Sequence, residues 1–179
     1  MKIVNVFDAV QDGTFGDFLE FYKGNINQIN PHTQLNLLET AVLNDENSKD
    51  KLDIIKFLIS NKIDHNFTDS KYGRNALHTL YFNTTRGTNE FLLEVTKLLV
   101  EAGININAVD KYSAIPLKYA ITVCKRSTEE LKDLYMYLLI CGSVYKHQDT
   151  FGKSCEDYAK EYSWRNGFLD IVREFENDK

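Results

Sequence analysis

The sequence predicts an all-α protein made of stacked helix pairs, and three observations predict it. Apolar residues recur at helical spacing: Leu77 and Leu80 stand three apart, and Val95, Leu98 and Leu99 stand three and four apart, so each helix has one apolar face. The pattern also repeats. Ala41, Leu80, Ala120 and Ala159 are separated by 39, 40 and 39 residues, and the turn aspartates Asp69, Asp110 and Asp149 by 41 and 39. Finally, the 179-residue chain is 43% hydrophobic with only 2 prolines, which leaves long helices uninterrupted. A lone helix pair cannot bury its apolar face, so a fixed period of this length means that copies stack on one another.

Residues 69–110 show the unit most clearly. Asp69-Ser-Lys-Tyr-Gly73 makes a turn, a first helix carries Leu77 and Leu80, and a second carries Val95, Leu98 and Leu99. Gly103 follows, where a left-handed residue ends the helix. Ile104-Asn-Ile106 is a short extended exit, and Asp110 opens the next turn.

In chain order, residues 3–11 are predicted as a helix with Ile3, Val6, Phe7 and Val10 on one face, ended by Asp12-Gly13. Residues 14–23 form its partner, with Phe15, Phe18, Leu19 and Tyr22 inward. Residues 1–29 thus read as an N-terminal cap, which a stack needs because its outermost face has no neighbour. Repeats follow at 30–66 (helices near 34–43 and 50–60), 67–107 and 108–148. The C-terminal cap, 149–179, has a turn and first helix over 149–159, a break at Trp164-Arg-Asn-Gly167, and a last apolar face of Phe168, Leu169, Ile171, Val172 and Phe175. All of this belongs to a single domain, 1–179.

The motifs of the middle units resemble those of the ankyrin-repeat family. Gly73-Arg-Asn-Ala-Leu77-His78 matches its helix start, and Leu98-Leu99-Val-Glu-Ala-Gly103-Ile-Asn-Ile-Asn107 matches its second helix and exit. Ile115-Pro116-Leu117-Lys118-Tyr-Ala120 keeps the proline and leucine but has lysine at the histidine position. Asn36-Leu37-Leu38-Glu39-Thr-Ala41 and Ser154-Cys155-Glu156-Asp157-Tyr-Ala159 are degenerate. The resemblance covers essentially the whole chain, strongly over 67–145 and weakly at both ends. It implies an all-α solenoid of about five helix-turn-helix units with short turn or hairpin fingers, in which His78 bonds the backbone of a neighbouring turn.

The period exceeds the family's roughly 33 residues. The extra residues fall at 44–50, 83–89 and 125–130, between first and second helices, so they are expected on one edge of the stack. They are either loop growth, which costs little entropy, or a shared binding edge.

The resemblance further implies that a partner lies across the turn tips and the exposed face of the first helices. Carried onto this chain, the tips are Ser70-Lys71-Tyr72, Lys111-Tyr112-Ser113 and Thr150-Phe151, with His65 and Phe67 leading into the first. Tyr72, Tyr112 and Phe151 hold equivalent positions, 40 and 39 apart, and are expected to form a ladder. Such aromatics either anchor an interface or pack on their own turns. On the first helices the outward candidates are Arg74, Asn75, Thr79, Phe82, Ser113, Lys118, Tyr119 and Lys153. The partner-binding set is therefore expected to be Phe67, Lys71, Tyr72, Arg74, Lys111, Tyr112, Tyr119, Phe151 and Lys153. Arg74 and Lys153 place positive charge at helix starts, where negative charge is favoured, which points to a partner with acidic groups.

Other function classes find little support. The 26 acidic and 21 basic residues give a net charge of −5, whereas nucleic-acid binding needs a basic stripe. No run approaches the roughly 18 apolar residues of a membrane span, and Met1-Lys-Ile-Val-Asn-Val-Phe-Asp8 meets an acid before a signal-peptide core can form. A cytoplasmic location is expected. Cys124, Cys141 and Cys155 lack Cys-x-x-Cys spacing, so free thiols and no metal are expected. His32, His65, His78 and His147 each fall in a different unit, and Gly13-Thr-Phe-Gly16 lacks the lysine of a phosphate loop.

The expected protein is a non-enzymatic interaction module without a cofactor, monomeric when unbound. Its Asn-, Lys- and Ile-rich composition suggests a bacterial source, and its size and architecture resemble stand-alone bacterial immunity proteins, which bind and neutralise a cognate toxin. The alternatives are an effector or scaffold for a host or regulatory protein, and an enzyme whose cysteine and histidine meet across repeats.

Overall fold

The computed structural model describes residues 2–82 and 88–178. The all-α expectation is met. The described residues form ten α-helices and a short 3-10 turn, and the only extended pairing among them is one bridge between Ile29 and Asn36. The helices are α1 (Val6–Asp12), α2 (Phe15–Phe21), α3 (Leu37–Ala41), α4 (Ser48–Ser60), α5 (Ala76–Phe82), α6 (Asn89–Glu101), α7 (Pro116–Thr122), α8 (Lys132–Ile140), α9 (Cys155–Glu161) and α10 (Gly167–Asn177), with the 3-10 turn at Ser163–Arg165 before α10.

Local chemistry sets the helix starts. The Asn5 side chain accepts the N–H groups of Phe7 and Asp8, so α1 begins at Val6 and not at residue 3. Thr14 with Asp17 and Ser154 with Asp157 form capping boxes for α2 and α9. Pro116 opens α7, where its missing N–H has no intrahelical partner to lose. Helix α3 is shorter than the expected 34–43: Gln34 is left-handed, with φ of 62°, and Asn36 caps the helix through the Glu39 N–H.

The helices stack in two rows. Each of α1, α3, α5 and α7 touches the next odd-numbered helix, and each of α2, α4, α6 and α8 touches the next even-numbered one. Between the rows lies an unbroken core running from Val10 and Phe18 through Leu38, Ile55, Leu77, Leu99, Leu117 and Leu138 to Phe168. At its start, Phe15, Phe18 and Tyr22 all face the Phe57 ring of α4. Leu19, expected inward, is 46% exposed. It sits one residue, about 100° of helix, beyond Phe18 and off that face.

Asparagines join the exits of successive pairs. Asn27 Oδ1 accepts the Asp64 N–H (2.8 Å), Asn66 Oδ1 accepts that of Asn105 (2.7 Å), and Asn107 Oδ1 accepts that of Val144 (2.9 Å). Asn66 and Asn107 also donate to the Gly103 and Gly142 carbonyls. Asn107→Ala removes both bonds at a half-buried site and is expected to lower stability by about 1–2 kcal/mol, measured by urea unfolding. An unchanged midpoint would mean that water replaces the rung.

The extra residues bond mainly to neighbouring units. Residues 83–87 of the middle loop lie outside the described residues. Elsewhere, Asn44 donates to the Gln11 carbonyl and Asn47 to those of Asp12 and Gly13, the Thr88 N–H donates to Asp45, and the Thr128 hydroxyl donates to the Trp164 carbonyl. The buried Lys51 ammonium donates to the Val10 and Gln11 carbonyls at 2.7 and 2.6 Å, closing the end of α1.

Candidate functional site

Three aspartates build the turn tips. Asp69 accepts the N–H groups of Lys71, Tyr72 and Arg74 at 2.9, 2.6 and 3.0 Å. Asp110 does the same for Tyr112 and Ala114, and Asp149 for Phe151 and Lys153. The turns require a left-handed residue, supplied by Gly73 (φ 69°), Ser113 (φ 52°) and Gly152 (φ 70°). Neighbouring tips are tied by backbone: Lys111 N–H donates to the Tyr72 carbonyl (2.8 Å) and Thr150 N–H to the Tyr112 carbonyl (2.9 Å). The spacing of the tips is therefore fixed.

Two tyrosines complete the turns from below. The Tyr119 hydroxyl donates to Asp110 Oδ2 at 2.5 Å and that of Tyr158 to Asp149 Oδ2 at 2.6 Å, both nine residues on. Tyr119, expected on the outward binding face, is only 3% exposed. Its hydroxyl is held by the aspartate and cannot reach a partner. The shared nine-residue spacing is the signal that would have found this pair. Burial pushes the Asp110 carboxyl up, but the Tyr119 hydroxyl and the Ala114 and Tyr112 N–H groups outweigh it and hold its pKa below the ordinary value. Burial, then the bond to Asp110, raises the Tyr119 pKa to about 12.

Asn75, also expected outward, is buried and donates to the Asn105 carbonyl at 3.0 Å. His78 lies within 2.8 Å of Asn75 Oδ1 and 2.9 Å of the Ala114 carbonyl, the neighbouring-turn contact expected of it. Burial lowers its pKa to about 4, so it is neutral at pH 7.

Above these buried groups, Arg74 organises the surface. Its guanidinium lies 4.7, 4.3 and 4.9 Å from the Tyr72, Phe82 and Tyr119 rings. It also donates to Asp110 Oδ2 (3.5 Å) and the Tyr119 hydroxyl (3.3 Å). Lys111 and Lys71 approach the Tyr72 ring at 4.0 and 5.0 Å, so three cations surround one ring. Beside them is a cavity of about 380 Å³, walled by Leu35, Leu43, Lys71, Tyr72, Arg74 and Phe82. Phe82 is 47% exposed there. The sequence reading missed Leu35 and Leu43, which lie beside the degenerate motif of α3.

The other expected residues spread out from this centre. Tyr112 adjoins it through Lys111, 5.2 Å from its ring. Phe151 stands on the next tip and is 67% exposed. Lys153 is paired with Glu161 at 2.5 Å, and half-buried Phe67 is not part of the cavity wall. The rings of Tyr72, Tyr112 and Phe151 do not touch one another among the described residues, so the aromatic ladder exists as equivalent positions on joined tips and not as stacked rings.

No group of three or more His, Cys, Asp or Glu side chains suited to a metal occurs among the described residues, and no helix among them is long and apolar enough to cross a membrane. No hydrogen bond joins a cysteine to a histidine among the described residues. Cys124 and Cys155 are buried and Cys141 is half-buried, and burial pushes the Cys155 thiol pKa well up. Alkylation of the folded protein is expected to label Cys141 alone by mass spectrometry. Rapid loss of the Cys155 thiol would show that its helix opens. A scan against protein-family models gives no match, and a search of curated proteins finds none similar to this chain. Function has to be argued from the chain's own geometry.

Proposed function

We propose that this chain is an ankyrin-repeat-type solenoid of about five units that acts without catalysis, by binding a protein partner across its turn tips. The observation that carries the reading is the half-exposed Phe82 and Tyr72 rings, set around Arg74 beside an open apolar cavity. Large side chains of this kind are what interfaces use as anchors, because they bury much area for little lost entropy. The row-on-row helix contacts, the asparagine bonds between exits and the His78 contact with the next turn all support the family reading.

The partner that fits best is a cognate bacterial toxin domain, with this chain as its cytoplasmic immunity protein, monomeric until bound. That choice rests on resemblance in size and architecture and on the groove being a binding surface without a reacting group. The test is capture from the native host followed by reconstitution with the purified partner. The expected result is a one-to-one complex in which the partner's toxicity on expression is suppressed. Recovery of abundant housekeeping proteins alone, or a complex that leaves toxicity intact, would refute the immunity reading.

A further inference from the structure

We infer that the groove takes an acidic segment of its protein partner: an aliphatic or aromatic side chain enters the cavity between Leu43 and Phe82, and carboxylates lie against Lys71, Arg74 and Lys111. The inference rests on the protein-binding reading above and adds the chemistry of what is bound.

The chain as a whole is acidic, with a net charge of −5, yet three cations meet at this one ring. Of the acids within the tips, Asp110 pairs with Arg74 at 3.5 Å, which leaves Lys71 and Lys111 as the cations to be offset. Asp69 and Asp110 are turned inward, buried, and occupied by turn N–H groups. Some other surface lysines, Lys56, Lys132, Lys146 and Lys153, each have a glutamate partner at 3.5 Å or less. Lys71 and Lys111 have no acidic side chain in ion-pair reach among the described residues, and both are exposed. Their like charges repel while unbound. The face of the Tyr72 ring attracts both ammonium groups, and this holds them together at the cavity mouth.

The cavity also has apolar walls, Leu35, Leu43 and Phe82. An apolar side chain there would leave flanking residues over Lys71 and Lys111, so the complementary segment has acids on either side of a hydrophobic anchor. A basic segment would place its charges on the unpaired Lys71 and Lys111, a repulsion that disfavours it. Because two of the three cations are exposed, the attraction is screened by salt.

The experiment is a selection of random linear peptides displayed on phage against the whole native protein, with the selected peptides then synthesised and measured by fluorescence polarisation. The expected winners carry Asp or Glu around one large apolar residue. They are expected to lose about tenfold or more in affinity on the Lys71→Glu/Lys111→Glu variant, which removes no hydrogen bond or ion pair among the described residues, and to weaken as salt is raised. Neutral or basic winners that survive this charge reversal but are lost on Phe82→Ala would overturn the acidic inference and leave the groove reading standing. Winners insensitive to both variants, or no selected binder, would overturn both. Circular dichroism of each variant confirms that the helices remain.

Discussion

A Tyr72→Ala/Phe82→Ala variant is expected to bind the protein partner at least about a hundredfold more weakly than the native chain, with its helical circular dichroism unchanged. Interface anchors of this kind are worth roughly 2 kcal/mol or more each when central, and a hundredfold loss corresponds to about 2.7 kcal/mol in all. The two rings also hold Arg74 over the cavity, at 4.7 and 4.3 Å. Without them the guanidinium keeps only Asp110 and Tyr119. The fold should tolerate the change because neither ring belongs to the buried core. Isothermal titration with the purified partner measures it. A loss of less than about threefold, well under 1 kcal/mol, would move the binding surface elsewhere.

The second large effect concerns Glu39 in α3. It occupies the helix position that His78 holds in α5, and it is 1% exposed. Neither of its carboxyl oxygens has a hydrogen-bond partner among the described residues. Burial raises its pKa from 4.5 to about 8, and the nearby Asp69 charge adds to the rise. The native state therefore holds a proton between about pH 4.5 and 8 that the unfolded chain has released. Stability conferred by that proton is complete below pH 4.5 and is lost as the pH rises to about 8.

His78 acts in the opposite direction. Its pKa falls from 6.5 to about 4 on burial, so stability rises with pH between about 4 and 6.5. Lys51, lowered from 10.5 to about 8 by burial, adds stability only as the pH climbs from about 8 towards 10.5. Taken together, these three groups give a local minimum of stability near pH 8. Glu39→Gln removes the downward slope and should gain on the order of 2–4 kcal/mol over the native chain at pH 8, with the gain vanishing near pH 4.5. Urea unfolding across this range decides it. Parallel pH profiles for the two proteins would show that Glu39 is ionised in the fold.

The parts legible in the sequence are those fixed by near neighbours along the chain. Leu77 with Leu80 and Val95 with Leu99 mark helices because their spacing alone gives each an apolar face. The Asp69, Asp110 and Asp149 turns were equally visible, since each carboxylate bonds N–H groups only two to five residues on. Tyr119 was misplaced because an amphipathic ring suits either face, and its burial follows from Asp110 needing a donor. Leu35 and Leu43 were missed because they flank α3 and reach the cavity only through the neighbouring turn. The bonds along the loop edge, such as Asp45 to Thr88, span 43 residues and have no local signature.

Hydrogen exchange on the complex with the captured partner tests the central claim most directly. Binding across the tips predicts slowed exchange at 70–74 and 111–113, with 44–50 and 125–130 unchanged. Slowed exchange confined to 44–50 and 125–130 would contradict it and assign the partner to the opposite edge of the helix pairs.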